Sequence, residues 1–546
     1  MRFAGWVPGT SLAAALVACG VVGACSSDAE PPVEPPGLEA DAVPAEPALR
    51  RLLARQYVRS VAHLLGDAAA ASAKPPADTQ LNGFSAIAAS QLSMNDSLVD
   101  AYESSARAVA ASAVTDSARI AALAGCKSTA SADEACLSSF VERFGRLAWR
   151  RPLSAEERDD LVALGKQGVL ARGTFVGGVE LVIAALLQAP SFLYQVELGV
   201  APSTRNDIRV LTGYEMATRL SFLLLGRTPD SALLDAAGAG ELDVAAGVRT
   251  WAEKLLETSE SREALRGFFA ELFVLDGIET LARDPELFPD FSPEVAESMR
   301  EEALRIVDDV IARDAPFTEV LTTTRTFVDA RLANHYGLSV EGDGWRAVEL
   351  PDEQGRTGLL TSAAVMTKQA HGTSTSATYR GLFVMERFLC TTMPPPPPGV
   401  ITTLPPSSAA PTLRERLEVH RSDPSCGACH YLSDNLGLTF ERYDAVGRYR
   451  ATENGAPIDP SGEVDQLGAW SGPRELAERL AASEGLHSCL LRQLHRYATG
   501  HVEVDGEWPA LNELTKRWEA RGGSFRPLLV DFASSELFRR VGAMTP

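Results

Sequence analysis

Along most of the chain, apolar side chains recur at the three- and four-residue spacing of helices, with a few short β-like pieces between them. Leu49, Leu52, Leu53, Tyr57, Val61, Leu64 and Leu65 make one such stripe, the buried face of a first helix. After the break AKPPADTQLNG, a second helical region rich in Ala and Ser is expected over 96–123. In FGRLAWRRPLSAEERDDL, Pro152 closes one helix, and Ser154 with Glu157 makes the capping box that opens the next. Residues 178–198 are apolar nearly all round, which predicts a buried central helix, too short before Pro190 to span a bilayer. Ser292-Pro293-Glu294 starts another helix, with Val295, Met299, Ile306 and Val310 on its inner face. A shift to strand-like pieces and turns follows Ala312, and the last helical regions are expected over 473–499 and 509–538. No internal repeat and no heptad run interrupts this reading, so the fold class is mainly α.

The first 25 residues break the pattern: one cation, an apolar run, then small residues before a cysteine, the layout of an export signal. Val22-Gly-Ala-Cys25 and Leu16-Val-Ala-Cys19 both resemble the bacterial lipobox, and Cys25 is the expected lipidation site because the longer apolar run leads to it. An ordinary cleaved signal is the alternative. Residues 26–47, acidic and proline-rich, are expected to be a solvated tether. The mature protein is then a lipoprotein outside the cytoplasm, on a membrane facing the periplasm or the cell surface, with the outer membrane expected. Its 546 residues allow about three or four folded units. The expected segments are 48–125, 126–170, 171–345, 346–455 and 456–546. With 72 acidic against 51 basic side chains, the surface repels phosphate backbones, which excludes nucleic acid as a partner.

Export also changes how the eight cysteines are read, because disulfides persist outside the cytoplasm. Cys126 and Cys136 enclose a short polar loop and are expected to pair. If Cys426 and Cys429 serve another purpose, Cys390 and Cys489 pair by subtraction.

That other purpose is written in Cys426-Gly-Ala-Cys429-His430. Covalent haem attachment needs two thiols one helical turn apart for the porphyrin vinyl groups and an adjacent imidazole for the iron, and C-x-x-C-H supplies both. A zinc site would need two further ligands, and a redox dithiol would need a βαβ setting; both stay open as alternatives, as does a structural disulfide. Candidates for the sixth iron position are His371, Met366, His420 and Met393, with His371 the expected ligand because it stands in the polar loop KQAHGTSTS. Arg448 and Arg450 could meet haem propionates or form ordinary salt bridges. His335, His487, His495 and His501 are expected to be structural, and Asp459, Glu463 and Asp465 to be turn residues. No G-x-S-x-G, H-E-x-x-H or P-loop is present.

Cys426, Cys429, His430, Asp434, Gly437, Glu441, Asp444, Gly447 and Arg450 fit the pattern C-x-x-C-H-x-x-x-D-P-x-G-x-x-x-E-x-x-D-x-x-G-x-x-R, with Asn435 where the pattern has proline. On these residues the chain resembles the planctomycete cytochrome C family of large exported proteins and its companion domains of unknown function. RRLLARQYVRSVAHLLGD, FGRLAWRRPLSAEE, LTGYEMATRLSFLLLGRTPD, TFVDARLANHYGL, RGLFVMERFLCTTMPPPPPGV and CLLRQLHRYATG extend the resemblance over about residues 48–540. It implies several packed helical domains and a c-type cytochrome-like domain over 346–455, in which the five consecutive prolines of Met393-PPPPP-Gly399 predict a stiff polyproline II strut. The expected function is a monohaem c-type cytochrome, carrying covalent haem c and its iron and passing electrons to a redox partner protein in the envelope. A haem-dependent extracellular oxidase or peroxidase-like enzyme is one alternative. A helical scaffold that binds a surface polymer is another.

Overall fold

The computed structural model describes residues 42–128, 130–202, 205–394, 408, 410–421 and 424–544, without the side chains of 419, 420, 424–426, 428 and 429. Cys25 and the export signal, most of the tether, residues 395–399 of the strut, and the side chains of His420, Cys426 and Cys429 lie outside the described residues. Helices build most of the fold, and the strands are short antiparallel pairs. Among the described residues, no helix is long and apolar enough to cross a membrane.

The first apolar stripe becomes the helix Ala54–Leu65, which buries Tyr57, Val61, Leu64 and Leu65. It shares a core with Tyr102 and Val109 of Asp96–Ala113, Phe140 and Phe144 of Glu134–Trp149, and Val179, Val182 and Ile183 of Phe175–Gln188. The single helical region expected over 96–123 is two helices, Asp96–Ala113 and Ser117–Ala124. Asp116 interrupts the path, and its carboxylate accepts from the Arg119 N–H at 3.0 Å, capping the second helix. Ser154 and Glu157 form their reciprocal capping box. The apolar run is helical only over Phe175–Gln188. Ala189, extended before Pro190, ends it, and Tyr194–Gln195 leaves as a strand paired with Arg50–Arg51. A disulfide joins Cys126 to Cys136 across the polar loop.

A second, larger core takes residues from all of 171–345, 346–455 and 456–546, so those three segments pack around common apolar ground. Its start lies earlier than the expected end of the tether: Ala42 is fully buried in it, and the Val43 N–H donates to the Gly506 carbonyl at 3.0 Å. The physical reason is size. Residues 42–45 are small and apolar, and they run across Gly506 and Gly542, where a β-carbon would meet the Val43 and Pro44 oxygens. A second disulfide, Cys390–Cys489, links two distant parts of this unit.

Inside this core Glu302, 1 % exposed, accepts hydrogen bonds from the Thr326 hydroxyl and the Tyr336 hydroxyl, each at 2.6 Å. The Tyr336 oxygen in turn accepts from the Ala363 N–H, and the Arg356 guanidinium lies between the Tyr336 and Tyr443 rings. Burial, only partly opposed by those hydrogen bonds and Arg356, pushes the Glu302 carboxyl up from 4.5 to about 7. The folded chain therefore holds a proton that the unfolded chain releases, and stability falls as pH rises from 4.5 towards 7. Glu302→Gln, which mimics the protonated group, is expected to be spared a loss on the order of 3 kcal/mol that the parent suffers between about pH 4 and 8, at ~1.4 kcal/mol per pH unit. Urea denaturation of both at several pH values checks it. His335 has the opposite linkage: burial holds it down at about 4, so it loses stability as pH falls below 6.5. Because both chains carry His335, its effect cancels in the difference.

Candidate functional site

Cys426 and His430 stand in the helix Pro424–Leu438, here the cysteine helix, which lies antiparallel against the supporting helix Ala377–Phe388. The two backbones nearly touch. A β-carbon on Gly437 would strike the Ala377 oxygen, and one on Gly381 would strike the Ser433 oxygen. Each helix thus offers a small residue and a glycine four apart on the same face, Ala377 with Gly381 and Ser433 with Gly437.

This close approach sets the chemistry. Asp434, with no exposed surface, accepts from the Thr378 hydroxyl of the supporting helix at 2.9 Å on Oδ1. Ser433 Oγ lies 3.4 Å from the same oxygen. The other oxygen, Oδ2, faces His430 Nδ1 at 3.0 Å. The hydrogen bond to Asp434 is the main cause that raises His430 above its ordinary value, against the opposing effect of partial burial. With the proton of the neutral ring on Nδ1, Nε2 is the nitrogen suited to a metal, and a buried carboxylate on Nδ1 is how metal-bound imidazoles are commonly oriented. The backbone of Cys426 and Cys429 is helical here, so the two cysteines, three residues apart, share a helix face.

The residues after the cysteine helix fold a tight cage. Arg380, fully buried, donates to the carbonyls of Phe440, Tyr443 and Asp444 at 2.8 Å each, and its Nη1 lies 3.4 Å from the Glu441 carboxylate. Arg450 pairs with the other Glu441 oxygen at 3.0 Å, and Arg448 pairs with Asp290 at 2.8 Å. Asp444 Oδ1 accepts from the Val446 and Arg448 N–H groups, closing a turn in which Gly447 takes φ +79°. Both arginines expected near propionates therefore already have carboxylate partners, one buried (Glu441) and one exposed (Asp290).

The candidate sixth ligands are scattered. His371 is exposed, with its ring 5.0 Å from that of Tyr379. Met366 is 1 % exposed in the large core, and Met393 packs partly against that core. His335 Nε2 donates to the Val446 carbonyl at 2.7 Å, and His487 sits beside Trp518. His495, His501 and Glu507 form the one group among the described residues whose ligand atoms lie within 4.8 Å of each other. Its carboxylate is already saturated: Oε1 accepts from the Ala45 N–H and His501, and Oε2 from the Val504 N–H and His495. Those hydrogen bonds hold Glu507 well below the usual carboxylate range, although burial acts against them. The cluster is a staple for the chain start.

Thr378, Arg380 and the role of Asp434 were not foreseen from sequence. The signals were present: a carboxylate four residues after His430, and the paired small residues on the two helices.

Five family models match in succession, each described as a protein of unknown function: DUF1587 over 50–115, DUF1595 over 136–197, DUF1592 over 211–338, DUF1588 over 356–453 and DUF1585 over 468–538. The fourth, PSCyt3, contains the cysteine helix, the supporting helix and the arginine cage. No curated protein and no solved structure matches the chain. With five matched domains following one another from residue 50 to residue 538, the chain belongs to the planctomycete cytochrome C-type multidomain family.

Proposed function

We propose that the protein is an exported, lipid-anchored monohaem c-type cytochrome that passes single electrons to a partner protein in the cell envelope. The observation that carries this reading is the cysteine helix: two cysteines one turn apart, followed by an imidazole whose Nδ1 is already held by a buried carboxylate. The donor set fits haem c. Cys426 and Cys429 would form the thioethers, and His430 would supply the axial nitrogen. When bound, the group would supply an iron that alternates between two oxidation states. His371 is the proposed second axial ligand. Arg448 is the better candidate for a propionate, because its present partner is 65 % exposed and that of Arg450 is 3 % exposed. Lipidation at Cys25 would keep the body at the outer membrane.

A second reading, an oxidase or peroxidase-like enzyme with an open sixth position, draws on the burial of Met366 in the core, away from solvent. Carbon monoxide uptake by the reduced protein separates the two.

The deciding experiment is expression of the full chain with and without the c-type maturation machinery. The expected result is a haem-staining band and a Soret absorption that require the machinery and vanish in Cys426→Ser with Cys429→Ser. Secreted protein with no tetrapyrrole mass on these cysteines overturns the assignment.

A further inference from the structure

Resting on the haem reading above, we infer that Asp434 is a positioning residue that sets the electron affinity of the site through His430. Three observations lead there. The carboxylate has no exposed surface, so its charge is felt at short range through protein and not through water. Its Oδ2 takes the Nδ1 side of the imidazole at 3.0 Å, which fixes the ring and makes the opposite nitrogen a stronger donor. Its Oδ1 is anchored at 2.9 Å by Thr378, a residue of a different helix that is held in place by the glycine contacts, so the carboxylate cannot turn away. A more basic axial nitrogen and a buried negative charge beside it both favour the ferric over the ferrous state. The chain therefore builds a low-potential site.

Thr378 works against Asp434. Its hydroxyl draws charge from the carboxylate and weakens the pull on His430. Removing the carboxylate charge and removing the hydroxyl should therefore move the midpoint potential in opposite directions, which a merely structural role would not do.

The test is a redox titration of the haem-loaded full chain as parent, Asp434→Asn and Thr378→Val. Asp434→Asn is expected to favour reduction at least tenfold, a positive shift of about 59 mV for one electron. Thr378→Val is expected to shift the midpoint to more negative values. A loaded Asp434→Asn with the parent midpoint, or two variants shifted in the same direction, overturns the role of Asp434 while leaving the haem assignment intact. A parent that carries no haem overturns both. If Asp434→Asn does not load, Thr378→Val decides: a negative shift supports the inference, and no shift or a positive one overturns it.

Discussion

Replacing Cys390 and Cys489 by alanine is expected to lower stability by about 4–5 kcal/mol, the largest single effect we foresee. The two cysteines are 99 positions apart, so their bond closes a long loop and removes much of the freedom of the unfolded chain. It also fastens the end of the supporting helix to Glu484–Thr499, where Cys489 is buried in the large core. The short Cys126–Cys136 loop, with a separation of 10, should cost less when opened in the same way, about 3 kcal/mol or below. Urea denaturation of the two alanine pairs, without reductant, compares them. Equal losses would mean that loop length is not what governs the stabilisation.

Arg380→Met is expected to cost about 3–5 kcal/mol, because it strips a buried carboxylate of one cation, leaves the Tyr443 carbonyl without a donor and takes one of two donors from the Phe440 and Asp444 carbonyls. Burial already holds the Arg380 guanidinium down at about 10 and raises the Glu441 carboxyl; the two charges, Arg450 and the Thr375 hydroxyl offset that cost. Adding Glu441→Gln should recover part of the loss and never all of it, since the Tyr443 carbonyl stays without its donor and the Phe440 and Asp444 carbonyls keep only their backbone donors. Arg380→Lys keeps the charge and loses the fork, and should fall between parent and Arg380→Met. The measurement is the unfolding free energy of the four chains. A loss under about 1 kcal/mol for Arg380→Met would mean that the cage is not held by this side chain.

Most local signals, in which a residue acts on its own neighbours, were legible. The capping box at Ser154 and the helix start at Ser292 each depend on side chains within four positions, whereas the stop before Pro190 was read through. What escaped were one local cap and the contacts between distant positions. Asp116 splits a helical stretch that composition alone reads as continuous, because Ala-rich sequence carries no mark strong enough to show where a cap will win. Arg380 looks like any helix cation until a turn some sixty residues later folds over it. At the site, the spacing of C-x-x-C-H was visible in the sequence, whereas the Thr378–Asp434–His430 chain depends on two helices approaching through glycines, a fact of packing.

The joint between Ala45 and Glu507 has a bearing on how the molecule is made. Its two sides are 462 positions apart, so at ordinary translation speeds the first stretch of the folded body emerges from the ribosome on the order of tens of seconds before its dock exists. Until then the larger core stays open at one edge, and the chain can be threaded before it locks. Both partners that hold Ala45, Glu507 and Gly542, come from the far end of the chain.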